Sequence, residues 1–398
     1  MSRLEELIAE LCPDGVEYKP LWKVTVWDKK FNAVERYKQP RVINYPYLLA
    51  AELFALKQVV GDVFLLSTGE QTGWTTTDLA GDYLCEGEVI SIPWGKSRPV
   101  CDVIKYYKGK FVTADNRIAT SANTEILLNK FLFYWLLTQG DLIDSFYRGS
   151  GIKHPSMKDV LDMKIPLPPL AVQREIVRIL DNFTELTAEL TAELTARKKQ
   201  YEYYRDELLS IDNETRYVAL DDICEISRGR VMLKEYLRDN AGEYPVYSSQ
   251  TANNGIFGFI DSFDYEDESI TWTTDGANAG SVFYHVNERF SITNVCGLLR
   301  VVNKSEVNTR FVYYVLQVVA KKYVSSGMGN PKLMSNVMAR VKIPLPPLEK
   351  QNRTVAILDR FDALVNDIAY GLPAEIEARR KQYEYYRDKL LTFKEKSS

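Results

Sequence analysis

The sequence predicts two related but diverged modules joined by two long helices that pair antiparallel, with pseudo-two-fold symmetry. Three observations predict it: a motif that occurs twice, apolar residues spaced for helices after each copy, and a dissimilar stretch before each copy. Internal repeats are read first because they organise everything else. Lys164-Ile165-Pro166-Leu167-Pro168-Pro169-Leu170 recurs as Lys342-Ile343-Pro344-Leu345-Pro346-Pro347-Leu348, 178 residues on. Gln173, Ile179, Leu180, Asp181 and Phe183 recur at the same spacing as Gln351, Ile357, Leu358, Asp359 and Phe361. Lys199-Gln200-Tyr201-Glu202-Tyr203-Tyr204-Arg205-Asp206 recurs as Lys381-Gln382-Tyr383-Glu384-Tyr385-Tyr386-Arg387-Asp388, 182 residues on, so the second copy carries four extra residues.

These copies divide the chain into a first module with a short leading helix (1–163), a central helical spacer (164–212), a second module (213–341) and a C-terminal helical region (342–398). The leading helix, Leu4 to Leu11, is expected to be short and without a partner of its own. In the spacer, Pro-Leu-Pro-Pro favours an extended approach, and its last proline suits the first turn of a helix. Phe183, Leu186, Leu190, Leu194, Arg197, Tyr201, Tyr204 and Leu208 then follow at steps of three and four, which is one helical seam. It predicts a helix over Leu170–Leu209 of about 60 Å. The C-terminal copy places Phe361, Leu364, Ile368, Leu372, Ile376, Arg379, Tyr383, Tyr386 and Leu390 on the same seam. Gly371 and Pro373 predict a kink or a break there. The modules echo each other faintly: Glu88–Ile92 resembles Glu268–Trp272, Asn129–Tyr134 resembles Asn308–Tyr314, and Tyr18–Leu21 resembles Tyr217–Leu220. Joining the two ends of the chain would make the halves cyclically equivalent.

Of 398 residues, 45% are hydrophobic and 26% charged, which reads as soluble and globular. No apolar run approaches the roughly 18 residues of a membrane span. The charged, amphipathic start does not read as a signal peptide, so a cytoplasmic location is expected. Cys12, Cys85, Cys101, Cys224 and Cys296 form no CxxC pair, and His154 and His285 are the only histidines, so neither a zinc ribbon nor a histidine triad is expected. No metal site is expected. The net charge of −4 is unlike that of a free-standing, non-specific DNA binder.

With two variable stretches alternating with two repeated helices, IPLPPL opening each helix and KKQYEYYRD or RKQYEYYRD near its close, the chain resembles the specificity subunit of Type I restriction-modification enzymes. Thr187-Ala188-Glu189-Leu190-Thr191-Ala192-Glu193-Leu194 is similar to the branch with such tandem repeats between its domains. The resemblance implies an α/β (α+β) class, each module being a target recognition domain that reads one half of a bipartite site in double-stranded DNA. It implies helices that form a coiled coil, set the gap between half-sites and dock two adenine-N6 methyltransferase subunits. Two restriction motor-nuclease subunits complete the enzyme. S-adenosylmethionine, ATP and Mg are expected on those partners and no cofactor on this chain. One four-residue unit would add about 6 Å of helix, comparable with one or two base-pair steps of about 3.4 Å.

The residues themselves offer little catalytic chemistry. The Asn/Asp-Pro-Pro-aromatic loop of an amino methyltransferase and the GxxxxGK[ST] phosphate loop are absent, so no catalytic residue is expected. Direct readout requires Arg or Lys for guanine and Asn or Gln for adenine on loops that reach a groove. In the first module the candidates are Trp94, Gly95, Lys96, Ser97 and Arg98, with Gly151, Lys153 and His154. In the second they are Arg228 and Arg230; Ser248, Ser249, Gln250, Asn253 and Asn254; Thr274, Asp275, Gly276 and Asn278; and Gly329, Asn330 and Lys332. The Trp94 and Asp275 loops follow matching strands, and the Gly151 and Gly329 loops both precede IPLPPL. Trp74, Trp94 and Trp272 read as core or loop anchors. The alternative from the same residues is a coiled-coil scaffold with two binding domains and no DNA.

Overall fold

The computed structural model describes residues 3–396 except 68, 70–71, 96–97, 150–152, 210–214, 326–328 and 367–370. The described chain is a mixture of helix and sheet and divides into two compact units, residues 1–189 with 376–398, and residues 190–375.

The first unit carries strands β1 (Glu17–Pro20), β2 (Thr25–Trp27), β3 (Val63–Leu66), β4 (Trp74–Thr75), β5 (Cys85–Ile92), β6 (Lys105–Thr113), β7 (Arg117–Ser121), β8 (Tyr147–Arg148), β9 (His154–Pro155) and β10 (Lys164–Leu167). Six of them form one sheet in the order β2-β7-β5-β6-β3-β4, while β1 pairs with β10 and β8 with β9. The inner end of β5, Val89 to Ile92, is buried on both faces, as β-branched residues in a central strand allow. The Asn129–Thr138 helix packs Phe131 and Trp135 onto this sheet.

In the second unit the strands are β11 (Tyr217–Ala219), β12 (Cys224–Arg228), β13 (Tyr244–Tyr247), β14 (Ile256–Ile260), β15 (Ser269–Thr273), β16 (Val282–His285), β17 (Ser291–Ile292), β18 (Cys296–Val301) and β19 (Lys342–Pro344). Their four-stranded sheet runs β12-β18-β15-β16, and a separate three-stranded sheet runs β14-β13-β17. The first order repeats β2-β7-β5-β6, and the registers match: Ile90 opposes Ala119 as Ile270 opposes Leu299. The Thr309–Val319 helix answers the Asn129–Thr138 helix, and β11 pairs with β19 as β1 pairs with β10. Diverged sequences have thus kept one framework and differ in what is added at its edges.

The central helix runs unbroken from Leu170 to Leu209 over 40 residues, as its Ala-, Glu-, Leu- and Lys-rich sequence favours. Its first part belongs to the first unit and its second part to the other. Val172, Ile176 and Leu180, at four-residue steps, are fully buried in the first core. Tyr201 and Leu209 are buried in the second, beside Val355 and Leu358 of the Leu348–Asn366 helix. The C-terminal region is broken rather than kinked, because a new helix starts at Leu372 and runs to Leu390. Ile368 lies outside the described residues. Rings cross each helix pair within a unit: Phe183 stacks on Tyr386 at 5.6 Å in the first, and Tyr204 on Phe361 at 5.8 Å in the second.

Two expectations about these helices are corrected. Leu186 and its counterpart Leu364 are exposed rather than on the seam. At 3.6 residues per turn the stripe passes from Phe183 to Thr187, which is half-buried and bonds back to the Phe183 carbonyl at 2.8 Å. The leading helix, Arg3–Leu11, does have a partner: Leu4 is buried in the first core, with Leu7 and Ile8 packed against it.

Residues near the two ends meet inside the first unit. The Val16 amide donates to the Lys394 carbonyl at 2.9 Å, the Lys396 amide donates to the Val16 carbonyl at 2.9 Å, and the Tyr18 hydroxyl donates to the Phe393 carbonyl at 2.9 Å. Each unit is therefore assembled from equivalent pieces in cyclic order. The second unit takes them from one run of chain and the first from two.

Candidate nucleic-acid interface

Each module is fastened to its helix by two side chains that the repeat preserves. Gln173 is fully buried; its Oε1 accepts the Leu128 amide at 2.9 Å, and its Nε2 donates to the carbonyls of Ile126 and Pro168, both at 2.8 Å. Gln351 repeats the clip with the Asn308 amide at 2.8 Å and the carbonyls of Glu306 at 2.9 Å and Pro346 at 2.8 Å. Asp181 accepts from Lys130 at 2.8 Å and Tyr134 at 2.6 Å, and Asp359 from Arg310 at 2.8 Å and Tyr314 at 2.5 Å. Burial and the neighbouring carboxylate push both tyrosine hydroxyls well above the ordinary phenol range. The sequence reading recorded these residues as repeated and gave them no role; their recurrence at one spacing was the signal.

Beyond the sheet, the loop after the matching strand meets the loop before IPLPPL, at the corresponding place in both units. In the first, Trp94 follows β5 and its carbonyl lies 3.0 Å from Nδ1 of His154, whose ring lies on the indole at 3.8 Å. In the second, Thr274 follows β15 and its carbonyl accepts the Leu333 amide at 2.9 Å, one residue past Lys332. A backbone bridge joins Asp275 to Lys332.

Around Trp94 the first unit gathers charge. Arg117, largely buried, lies over the rings of Phe31 at 5.5 Å and Trp94 at 5.6 Å and reaches Asp115 at 3.3 Å. Lys29 pairs with Asp115 and sits 3.5 Å from Asp28. Asp28 is buried, and the loss of solvent raises its carboxyl to about 6 despite Lys29 and Arg117 beside it. Arg117 and Lys29 escaped the sequence reading because no local pattern marks them; the fold brings them in from β7 and the end of β2. Gly95 is half-buried, and Arg98 and Lys153 are exposed. Lys96, Ser97 and Gly151 lie outside the described residues.

The four candidate stretches of the second unit form one connected surface. Arg228 donates through Nη2 to Thr274 Oγ1 at 3.2 Å and to the Asn294 carbonyl at 2.5 Å. The Thr274 hydroxyl in turn donates a hydrogen bond to Asp275 at 2.7 Å, and Asp275 stands 3.8 Å from Arg228 and 3.6 Å from Lys332. Thr293 Oγ1 donates to Ser248 at 2.9 Å, tying in the Ser248–Asn254 stretch, while Ser249 is half-buried and Gln250 donates to the Ile256 carbonyl. Asn253 and Asn254 stand exposed with φ of 50° and 53°, a left-handed conformation that asparagine tolerates. Asn278, Gly329 and Asn330 are exposed as well. Gly276, at φ 87° with open space where a Cβ would stand, suits the turn that carries Asp275.

One candidate is turned inward, and another is tied to its neighbours at the surface. Thr274 is fully buried, so its hydroxyl links Arg228 to Asp275 and does not face a ligand. Arg230 is held by Asp264 at 3.2 Å and the Tyr236 hydroxyl at 3.0 Å. Of the tryptophans, Trp272 is a core residue, whereas Trp74 is exposed at the sheet edge against Phe64. His285 is buried between Thr271 at 2.8 Å and Glu288 at 3.0 Å, an internal hydrogen-bonding role.

A family model described as Type I restriction modification DNA specificity domain matches residues 50–197 and again 213–378. This chain belongs to that family. Its two matches fall on the two halves related by the repeat. Among relatives, S.MpnORF201P of Mycoplasma pneumoniae, named as a type I specificity subunit, is 43% identical over 244 residues, which are 59% of this chain and 98% of that protein. S.HindORF215P of Haemophilus influenzae, named as a type I restriction enzyme specificity subunit, is 32% identical over 336 residues, 79% of this chain and 86% of that one. The fold matches the crystal structure of a Type-I restriction-modification system S subunit from M. genitalium with a TM-score of 0.64 at 18% identity, covering 95% of this chain and 96% of the other. Among the described residues no helix is long and apolar enough to cross a membrane, and no group of three His, Cys, Asp or Glu is placed to hold a metal ion.

Proposed function

We propose that this chain is the DNA sequence-specificity subunit of a Type I restriction-modification enzyme and performs none of that enzyme's chemistry. The observation that carries the reading is the same loop pair at the same place on two family-matched halves: Trp94 with His154, and Asp275 with Lys332. Each recognition domain (1–163 and 213–341) presents its loops to one half of a bipartite site. The helical regions (164–212 and 342–398) fix the gap and receive two methyltransferase subunits, which hold S-adenosylmethionine and place the methyl group on adenine N6. Two motor-nuclease subunits with ATP and Mg complete the assembly, in the cytoplasm.

Gln173, Gln351, Asp181 and Asp359 support the ruler role, because each locks a module rigidly onto a helix. The Thr-Ala-Glu-Leu tandem lies on the long helix where one unit gives way to the other, so its length sets the register between the two readers. The test is to co-express the chain with a cognate methyltransferase subunit in a methylation-free host and map N6-methyladenine. A bipartite motif with one modified adenine on each strand is expected. Removing one Thr-Ala-Glu-Leu unit should shorten the gap and leave both half-sites unchanged. A stable complex that methylates nothing would instead support a coiled-coil scaffold, and methylation by the chain alone would reveal a catalytic site of its own.

A further inference from the structure

We propose that Asp275 and Lys332 together read one G·C base pair in the half-site of the second unit, with Arg228 as the positioning residue behind them; this rests on the DNA-reading function above. The carboxylate and the ammonium stand 3.6 Å apart, and Lys332 is 52% exposed. In the major groove a G·C pair offers the O6 and N7 acceptors of guanine beside the N4 amino donor of cytosine. An ammonium beside a carboxylate is the complement of that edge, Lys332 donating to guanine and Asp275 accepting from cytosine. A pair with adenine in guanine's place offers no such match, because the carbonyl of thymine would meet the carboxylate, two acceptors face to face; with thymine in guanine's place O4 and N6 still fit and only the N7 acceptor is lost.

The pair is held in place from below. Arg228 reaches Asp275 through the buried Thr274 hydroxyl and pins the Asn294 carbonyl, and its Nε is buried with no acceptor among the described residues, so this guanidinium serves the loop and not the base. Two cations share the one carboxylate, so the ensemble carries residual positive charge facing the candidate surface. At the matching place the first unit has the Trp94 ring against that of His154, and Gly95, which has no carboxylate, follows Trp94 as Asp275 follows Thr274; Lys29, the register counterpart of Arg228, is neutralised by Asp28 and Asp115. The two half-sites should therefore differ at this position, and only the second should require G·C.

The test uses the assembled methyltransferase complex. Its wild-type bipartite site is first mapped by N6-methyladenine sequencing, and binding is then measured to duplexes in which each base pair of that site is replaced in turn. One G·C position in the second unit's half-site should cost the wild type about ten- to a hundredfold in affinity when its guanine is replaced by adenine, and less when it is replaced by thymine. Asp275→Asn and Lys332→Gln should each reduce that penalty to less than about threefold, while leaving every penalty in the other half-site unchanged. Arg228→Lys should weaken discrimination at the same position without moving it. If either loop variant fails to fold, the other supplies the same comparison. Variants whose penalty profiles match the wild type at every position would overturn the proposal, as would a second half-site without a G·C pair. A wild-type complex with no bipartite site would overturn the functional reading itself, which is a separate outcome.

Discussion

Replacing Gln351 by alanine removes the clip that fastens the second module to its helix. The carboxamide is fully buried and makes three bonds, to the Asn308 amide and to the carbonyls of Glu306 and Pro346, at 2.8 to 2.9 Å. A buried hydrogen bond contributes about 1 kcal/mol net, and a backbone group left unpaired costs about 1–3 kcal/mol. Three bonds and the small cavity together give a loss of about 3–4 kcal/mol. That corresponds to more than a hundredfold faster opening at the Asn308 amide. Native-state hydrogen exchange reads this directly, and urea unfolding reads the global change. Gln173→Ala should do the same to the Leu128 amide. Because the two clips share no partner, each variant should leave the other unit within about 0.5 kcal/mol of wild type. Gln351→Glu should be worse than alanine, since its carboxylate would face two carbonyl oxygens out of water. If the Asn308 amide of Gln351→Ala exchanged at the wild-type rate and the urea midpoint stayed put, the clip would contribute nothing and this account of the repeated glutamine would fail.

Asp28 supplies a pH signature. Its folded value of about 6 lies above the ordinary 3.8, so the native state binds the proton more tightly than the unfolded chain, and this residue's contribution to stability falls as pH rises from about 4 to 6. Asp28→Asn should flatten that slope in urea titrations and stabilise the first unit at pH 8 by up to about 2–3 kcal/mol. Gly297→Ala should destabilise the second unit by about 3 kcal/mol in thermal melts, because a Cβ there would stand 2.2 Å from the buried Trp272 ring. Calorimetry should show the first unit's transition unmoved. The base-pair panel for Asp275 and Lys332, and the gap change on deleting one Thr-Ala-Glu-Leu unit, complete the set.

The helical framework was legible because its rules are local. The central helix has the bounds that its apolar spacing and the preceding prolines imply, and the break near Gly371 follows from its proline. Leu186 and Leu364 were misplaced for a related reason: over several turns a spacing of threes and fours admits more than one stripe, and the neighbour that buries it decides which one forms. The candidate loops were legible as counterparts, since they follow matching strands or precede IPLPPL in both modules. That the two kinds meet within each unit was not, and it, the burial of Thr274 and the arrival of Arg117 depend on sheet register, which no short stretch encodes. The role of the repeated glutamine was written in the sequence as an identity at fixed spacing; its partners are backbone groups, which carry no sequence signature.

The closure of Val16 onto Lys394 and Lys396 has a consequence for biosynthesis. The second unit is one uninterrupted run, 190–375, and has all its parts as soon as that run leaves the ribosome. The first unit begins emerging earlier yet lacks one wall until residues 376–396 have been made, and its Tyr18–Phe393 bond closes a loop spanning 375 positions. A contact of such long sequence separation forms only after the residues between have been made. During that interval the first core lacks Leu391, and its unfinished apolar surface is open to chaperones. A chain interrupted after residue 375 would keep one finished reader and one open one, so the pairing of residues 393–396 with Val16 and Tyr18 acts as a latch on the first reader.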